Sequence, residues 1–473
     1  MITFLTSLTV LVAAYFLYGT WVERKFGADS KRTTPAISIN DGVDFVPLKK
    51  GKIFLIQFLN IAGLGPIFGA VAGAMWGPVA FLWIVFGSIF AGAVHDYFSG
   101  MLSLRHNGIS VPEITGKYLG TGMKNFMRFF VVVLLILVGV VFVKGPAAIL
   151  NSLTGLNTTI LVIVIFTYYL LATLIPIDKL IGKVYPIFGL TLLFMAIGII
   201  VALWVKAIPI PELTFSNMHN MHPAPSKYPI FPFLFITIAC GAISGFHSTQ
   251  SPMMARCLPN EKQGKMVFFG AMIAEGIVAL IWAAVSMAFF GGVRELGTAM
   301  AEHGNNAAWV VNKVCNSLLG KVGGIIAIIG VVAAPITSGD TAFRSARLTI
   351  ADAFNIQQTK LPRRLLTSVP LFAIGIALTT INFGIIWRYF GWANQTLATI
   401  MLWTAVMYMY KQKRNYWFIL LPALFMTMVV VSYLFIAPEG FQQSAFLSYN
   451  TGAIVTIFCL ILFLNQIRKE RNH

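Results

Sequence analysis

The segment ACGAISGFHSTQSPMM, residues 239–254, places an imidazole and several hydroxyls inside an otherwise apolar run. Hydroxyls and an imidazole orient polar substrates through hydrogen bonds. The glycines allow the backbone to leave the helical path, which frees carbonyls for a cation and N–H groups for a carboxylate. The pattern therefore predicts a substrate-binding segment with the candidate residues Gly241, Ser244, Gly245, His247 and Ser248.

Other interpretations of this segment stay open. A kinked helix whose polar groups pair with neighbouring helices would contain the same residue types. An intramembrane serine hydrolase would use Ser244 as nucleophile and His247 as base, but no orienting acid lies near them in the sequence. A haem protein with His95 and His247 as axial ligands has still less support.

Two acidic residues, Asp96 and Glu275, lie within apolar runs. Charged groups at membrane depth are costly and usually mark ion pathways or proton relays. Glu275 lies near the centre of its run, whereas Asp96 follows His95 nearer to one end, where a structural ion pair is the alternative. We expect both carboxyls to take part in ion coupling.

The motif TSGDT, residues 337–341, brings hydroxyls and a carboxylate together where an apolar run is expected to end. Oxygen ligands suit a hard cation such as Na⁺, which Thr337 and Ser338 would hold, and a titrating carboxyl would carry H⁺ instead. The alternative is a helix end at which Asp340 pairs with Arg344 at i+4. The candidate ion-coupling residues here are Thr337, Ser338, Asp340 and Thr341.

The elements that position these residues are membrane helices. Apolar residues form 58% of the 473-residue chain and charged residues 11%, against about 45–50% and about 25% in soluble domains. An apolar run of roughly 20 residues crosses the hydrocarbon layer, and about 13 such runs occur. They lie near residues 3–21, 53–76, 78–104, 126–150, 157–176, 183–206, 229–254, 265–291, 321–342, 366–385, 391–410, 415–436 and 446–466.

Several classes of protein are disfavoured by what the sequence contains. The first apolar run has no basic region or cleavage site of a signal peptide, so we interpret it as a retained helix. The four cysteines show neither a disulfide framework nor a zinc-type spacing. The sequence has no P-loop, which argues against transport driven by ATP through that motif.

The Lys and Arg residues indicate the topology. If loops alternate between the two sides, 27 of the 34 basic residues fall on one side and 7 on the other. This asymmetry is typical of the positive-inside rule and predicts a cytoplasmic C-terminus and an external N-terminus. The net charge of +18 is thereby explained as a topology signal, and nucleic-acid binding is not predicted.

Two of the runs carry helix breakers in their middle. The run near 53–76 contains IAGLGPIFG, and both broken runs read Phe-x-[Asn/Thr]-Ile-Ala before the break, in FLNIAG (58–63) and FITIAC (235–240). Five spans separate the starts of the two runs, so the second enters from the opposite face. This predicts inverted five-helix repeats, the usual scaffold of a central transporter site. Site candidates from the first break and the last core helix are Ala62, Gly63, Gly65, Pro66 and Asn394.

The repeats divide the chain into four parts. Residues 1–52 form an N-terminal helix and a cytoplasmic loop, 53–208 the first repeat, 209–410 the second repeat, and 411–473 two C-terminal helices and a tail. The predicted fold is thus an all-α polytopic membrane protein with one extra N-terminal and two extra C-terminal helices around a 5+5 core.

Several motifs resemble the carbon starvation protein A family of bacterial inner-membrane transporters. They are GVDFVP, IAGLGPIFG, GAVHDYFSGMLSLRHNG, TSGDTAFRSARL and FGWANQTLA, between residues 42 and 398. The resemblance implies uptake of peptides, or of pyruvate in some members, in symport with protons under nutrient limitation. It also implies a LeuT-like core and no enzymatic activity. This chain is shorter than the longest members of the family and has His95 where those members often have Gln.

These observations together predict a secondary transporter of the bacterial inner membrane that imports short peptides or a small 2-oxo acid such as pyruvate. H⁺ is the expected coupling ion and Na⁺ the alternative, and no cofactor is expected. An ion or solute channel is the alternative function.

Overall fold

A computed structural model of the chain describes residues 1–42, 45–174, 177–354, 356 and 361–471, without the side chains of 173–174, 177–186, 321–322 and 470–471. The regular elements of these residues are helices. In the first half they are Ile2–Phe16, Tyr18–Phe26, Pro35–Ser38, Lys50–Ile61, Gly65–Gly69, Ala70–Gly73, Ala74–Trp76, Val79–Leu82, Trp83–Gly92, Ala93–Arg105, Val111–Leu119, Thr121–Thr154, Thr158–Leu174 and Ile177–Val205. In the second half they are Phe215–Asn217, Ile230–Leu234, Phe235–Thr237, Gly245–Ala255, Glu261–Gln263, Lys265–Gly270, Ala271–Phe289, Val293–Glu302, Ala307–Ala353, Leu361–Leu378, Phe383–Lys411, Trp417–Ile436 and Ala445–Arg471.

The membrane character of the chain is confirmed, and the count of 13 spans stays a prediction. Nine helices in the described ranges are long and apolar enough to cross a membrane, and a bent pair makes ten. Three predicted spans fall outside this group. The first is the second interrupted run. The second is Thr158–Leu174, which is short. The third is Phe383–Lys411, which is less apolar because it carries Arg388 and the amides of Asn394 and Gln395. Residues 175–176, the end of the predicted span 157–176 to which Thr158–Leu174 corresponds, lie outside the described residues.

The first interrupted span consists of Lys50–Ile61 and Gly65–Trp76, which meet at an angle of 54°. Pro66 has no N–H to continue the ladder, and Ala62 leaves the helical region with φ −79° and ψ 54°. The predicted break is therefore confirmed. The carbonyl of Leu59 just before it accepts a hydrogen bond from Ser338 Oγ at 3.1 Å.

The second interrupted span comprises residues 230–237 and Gly245–Ala255, separated by an irregular segment. Gly241 lies within this segment at φ +93°, a conformation that favours glycine. Side chains of other helices pair with the freed carbonyls: Trp83 Nε1 donates to Ile238 O at 3.0 Å, and Ser88 Oγ donates to Gly241 O at 2.8 Å. The predicted break is present, and its backbone is satisfied by protein and not by lipid.

The two breaks contact each other. A Cβ atom on Gly65 would lie 2.1 Å from Cys240 Cβ, and one on Gly69 would lie 2.9 Å from the carbonyl of Thr237. Glycine at these positions allows the irregular backbones to approach to a distance that a side chain would prevent. The contact places both breaks in one buried region.

Burial separates central from peripheral helices. Of the most apolar window, 83% is buried in Val79–Arg105 and in Glu261–Phe289, but only 17% in Ala445–Lys469 and 22% in Ile2–Phe26. The first and last helices therefore lie at the periphery. The division into a core and added helices stays a prediction, because Trp417–Ile436, predicted outside the core, is 56% buried and Leu361–Leu378, predicted inside it, 28%.

One expectation about a helix end is wrong. The TSGDT motif does not lie at a helix end, because Ala307–Ala353 continues well beyond Asp340. This long helix follows the separate helix Val293–Glu302 and kinks at Gly320 (φ 68°).

Replacing Gly65 with alanine tests the contact between the breaks. We expect Gly65→Ala to destabilise the chain by about 1–3 kcal/mol, because its Cβ overlaps Cys240. The measurement is thermal unfolding in detergent. Gly51→Ala is the control, since a Cβ there meets nothing within 4 Å; an equal loss in both variants would contradict the contact.

Candidate functional site

His247 lies at the centre of a buried row of ionisable side chains. Its Nδ1 is 2.9 Å from Asp96 Oδ2, and the other carboxylate oxygen of Asp96 is 2.7 Å from His95 Nδ1. On its opposite edge, His247 Nε2 is 3.3 Å from Glu275 Oε2. All four side chains are completely buried. We call them the central cluster: His95, Asp96, His247 and Glu275.

Three helices bring the central cluster together. His247 lies in the first turn of Gly245–Ala255, Asp96 in Ala93–Arg105 and Glu275 in Ala271–Phe289. Close packing depends on small residues at the contacts. A Cβ on Gly92 would lie 2.1 Å from the carbonyl of Ala242, and one on Gly276 would lie 2.5 Å from Ser88 Oγ. The break thus allows His247 to reach two acids on different helices.

The central cluster contains its own compensating charges. Among the residues that the structure describes, its ion pairs are all internal, and none involves Lys or Arg. Asp96 is held between two imidazoles, whereas His247 Nε2 and both oxygens of Glu275 have no hydrogen-bond partner within the described residues. A buried carboxylate is costly unless a proton or a cation accompanies it. The edge between His247 and Glu275 is therefore the part of the cluster that a mobile proton or cation can occupy.

Asn394 organises the start of the helix Gly245–Ala255. Its Oδ1 accepts from the backbone N–H of Phe246 at 2.6 Å, and its Nδ2 donates to Ser244 Oγ at 2.9 Å and to Cys240 Sγ at 3.4 Å. The Phe246 N–H at this helix start is thus already hydrogen-bonded to a side-chain amide of the chain itself. A substrate carboxylate at this helix start has to displace Asn394.

Most of the predicted hydroxyls bond to their own helices. Ser248 Oγ donates to Gly245 O at 2.6 Å, and Thr341 Oγ1 to Ser338 O at 2.9 Å. Ser244 pairs with Asn394 and not with His247, so the geometry gives no support to a serine nucleophile. Asp340 lies 3.7 Å from Arg344, the i+4 pair named as an alternative.

Ser338 lies beside the first break, where its hydroxyl contacts Leu59 O at 3.1 Å and Ala334 O at 2.9 Å. The hydroxyl of Thr337 donates to Ala334 O at 2.7 Å, and Thr337 lines another cavity together with Tyr168 and Phe188. Of the two residues, Ser338 is thus the one whose hydroxyl contacts the end of the helix Lys50–Ile61. The breaks, His247, Glu275, Asp96 and Asn394 form one buried region, and the pair Asp340–Arg344 is a separate structural contact.

Two buried amides near the first break, Gln57 and Asn60, were not predicted as site residues from the sequence. Both are fully buried on the helix that leads into the first break, and the donor and acceptor atoms of both amides have no partner in the described part of the chain. Their signal was two amides at i and i+3 within an apolar run, so they lie on one helix face. They are further candidates for contact with a polar ligand.

A cavity of about 500 Å³ opens beyond the first break. It contains two basic side chains, Lys144 and Arg388, and we call it the vestibule. Its other polar and aromatic lining includes Phe68, His303, Asn305, Asn306, Asn382, Phe383 and Trp387. Lys144 Nζ donates to the carbonyls of Thr379 and Ile381, and Arg388 Nε lies 3.0 Å from Glu439.

A row of aromatic rings separates the vestibule from the central cluster. The contacts run from Phe68 to Trp387 at 5.9 Å, to Phe390 at 5.5 Å, to Phe142 at 6.4 Å and to Phe246 at 5.9 Å. Phe246 immediately precedes His247 in the chain. The row fills the space between the cavity and the site.

Two interrupted helices that meet around buried ionisable groups, within a bundle of apolar helices, are typical of a polytopic membrane transporter. The family model described as carbon starvation protein CstA matches residues 1–152, 142–318 and 290–433. The chain belongs to this family, as the motifs indicated.

Relatives and solved structures agree with this class. An uncharacterized membrane protein of Haemophilus influenzae is 44% identical over 64% of this chain and 94% of its own length. The peptide transporter CstA of Campylobacter jejuni is 30% identical and the pyruvate/proton symporter BtsT of Escherichia coli 28% identical, each over 58% of this chain. The chain covers 48% and 47% of those two relatives. A manganese transporter of Eremococcus coleocola has a similar fold, with a TM-score of 0.52 and 13% identity, over 91% of this chain and 99% of that one.

The role of Asn394 can be tested by stability. We expect Asn394→Ala to cost about 1–2 kcal/mol, because the Phe246 N–H and the Ser244 hydroxyl lose a buried partner. Thermal unfolding in detergent measures the loss. Asn450→Ala, which removes an exposed amide bonded to Phe446 O, is the control and should melt like the unmodified chain.

Proposed function

We propose that the chain is a proton-coupled symporter that imports a small carboxylate across the bacterial inner membrane, either a short peptide or a 2-oxo acid such as pyruvate. The observation that carries this proposal is the buried row His95–Asp96–His247–Glu275 beside two interrupted helices. The names of two relatives, a peptide transporter and a pyruvate/proton symporter, support the substrate class and the ion.

The central cluster supplies a route for the coupling proton. Consecutive polar atoms lie 3.3, 2.9 and 2.7 Å apart from Glu275 through His247 and Asp96 to His95. A proton at the Glu275–His247 edge removes the cost of a buried unpaired charge. The substrate carboxylate then binds near the breaks, in contact with N–H groups released when Asn394 moves.

The vestibule is the proposed entrance from the external side. Its Lys144 and Arg388 attract a carboxylate, and the aromatic row from Phe68 to Phe246 is the gate between entrance and site. In this proposal the two inverted repeats rock against each other, with the N-terminus outside and the C-terminus in the cytoplasm. A channel would need the row to stay open, whereas a symporter opens it only in alternation with the other side.

Na⁺ is the second candidate coupling ion. Ser338 Oγ lies between the carbonyls of Leu59 and Ala334 at the first break, and Ala334 O also accepts from Thr337. Oxygen donors of this kind suit a hard monovalent cation at an unwound helix. Uptake driven by an imposed Na⁺ gradient at constant pH would favour this ion over H⁺.

Uptake into proteoliposomes tests the proposal. With an inward proton gradient, the unmodified chain should concentrate labelled pyruvate or labelled dialanine against its gradient, which a channel cannot do. His247→Gln and Glu275→Gln should abolish accumulation while substrate exchange at equal pH persists, because only the proton step is lost. Absence of accumulation for both probes in the unmodified chain would overturn the proposed function.

Matched controls keep this experiment specific. His219→Gln and Glu302→Gln change the same residue types at exposed positions and should accumulate substrate like the unmodified chain. Equal loss in the controls would show that charge or folding, and not the central cluster, determines uptake.

The vestibule generates a separate prediction. We expect Lys144→Gln to raise the KM for an anionic substrate about two- to fivefold with little change in the maximal rate, because a partly exposed charge contributes less than about 1 kcal/mol. Lys206→Gln is the control, since Lys206 bonds to Ser317 O and does not line the cavity. Equal KM values in the two variants would remove the vestibule from the entry path.

A further inference from the structure

Three donor atoms of different chemistry converge at the second break. Cys240 Sγ, a ring nitrogen of His247 and a carboxylate oxygen of Glu275 all lie within 4.8 Å of one another, and all three residues are buried. They come from positions 240, 247 and 275, a spacing that matches no metal motif, which is why the sequence indicated no such site. The break brings the first two together, and packing of Ala271–Phe289 adds the third.

Two of the three donor groups, the imidazole of His247 and the carboxyl of Glu275, face each other without a hydrogen bond. Asp96 pairs with His247 Nδ1 at 2.9 Å, which leaves Nε2 as the nitrogen that faces Glu275. A carboxylate that holds the far nitrogen of an imidazole is the usual second layer of a metal–histidine bond. Nε2 and both Glu275 oxygens have no hydrogen-bond partner in the described ranges. Donors of this kind, fully buried and 3.3 Å apart, are placed to share one ion.

We propose that Cys240, His247 and Glu275 bind a divalent transition-metal ion of the Zn²⁺ class. Sulfur, imidazole nitrogen and carboxylate oxygen together are the donor set of Zn²⁺ and its analogue Co²⁺, and they do not suit Mg²⁺ or Ca²⁺, which require oxygen ligands. Ser244 and Asn394 lie 3.4 Å from Cys240 Sγ and can donate to a thiolate there. Three protein ligands leave a fourth position for water or an anion.

Metal binding at this site excludes the coupling proton. Both the metal ion and the proton require His247 Nε2 and the oxygens of Glu275. A metal ion bound there therefore keeps these atoms deprotonated. This consequence rests on the proposed function, whereas the binding itself does not. We therefore expect Zn²⁺ to inhibit proton-driven uptake, and metal binding to be measurable in detergent without any transport assay.

Absorption spectroscopy with Co²⁺ tests the site in the full purified chain under a non-thiol reductant. The unmodified chain should bind one Co²⁺ and show the near-ultraviolet charge-transfer band of a cobalt–thiolate bond. Zn²⁺ should displace the ion and remove the band. Cys240→Ser should lose the band, and Glu275→Gln and Asp96→Asn should weaken Co²⁺ binding about tenfold or more, since ligands and their orienting partners affect affinity on that scale.

Controls separate the site from misfolding and from other thiols. Cys315→Ser changes another buried cysteine that is not part of the donor group and should keep the band and the affinity. Cys240→Ala, with an unchanged melting profile, should also lack the band. Absence of the band in the unmodified chain, or its persistence in Cys240→Ser, would overturn the proposal whether or not the chain transports pyruvate or dialanine.

Discussion

The structure depends on the requirement that main-chain N–H and C=O groups in a bilayer find partners within the protein. Two helices are interrupted, so several carbonyls lose their helical partners. Trp83 and Ser88 of the helix Trp83–Gly92 donate to Ile238 O and Gly241 O, and Ser338 of Ala307–Ala353 donates to Leu59 O. A helix break whose carbonyls receive their hydrogen bonds from other helices can exist only where neighbouring helices surround it. The requirement therefore brings the irregular segments to the centre, where Gly65 lets them touch.

Once the breaks are central, polar side chains near them share one desolvated space. Glu275 and Asp96 are far apart in sequence, yet His247 contacts both because its helix starts immediately after the break. In a continuous helix from residue 230 to 255, the His247 side chain would point in another direction and lie at another depth in the membrane. The same interruption that costs backbone hydrogen bonds thus creates the arrangement of ionisable groups.

The helix interruptions could be predicted from the sequence, because Gly and Pro disrupt a helix locally and are easily recognised within an apolar segment. The sequence was also sufficient to name His247, Asp96 and Glu275, since charge in an apolar run is costly wherever it occurs. Their convergence was not predictable, because it depends on how three helices pack. The prediction that Asp340 lies at a helix end was wrong for a related reason. The helix Ala307–Ala353 continues past its apolar stretch, since its polar end is buried against other helices. Gln57 and Asn60 were missed because the apolar residues around them dominated the pattern.

In the proposed symporter, the charges of the central cluster would couple the binding of the proton to that of the substrate. Two carboxyls, Asp96 and Glu275, face two imidazoles, and the ion pairs of the cluster in the described part of the chain include no Lys or Arg. A substrate carboxylate would add another negative charge to this space. At the low effective dielectric of such a site, one uncompensated charge costs several kcal/mol. That exceeds the coupling free energy of about 1–3 kcal/mol that is typical of two ligands. An anion and a proton would therefore bind more strongly together than separately, and the proposed rocking of the repeats would then carry both across the membrane.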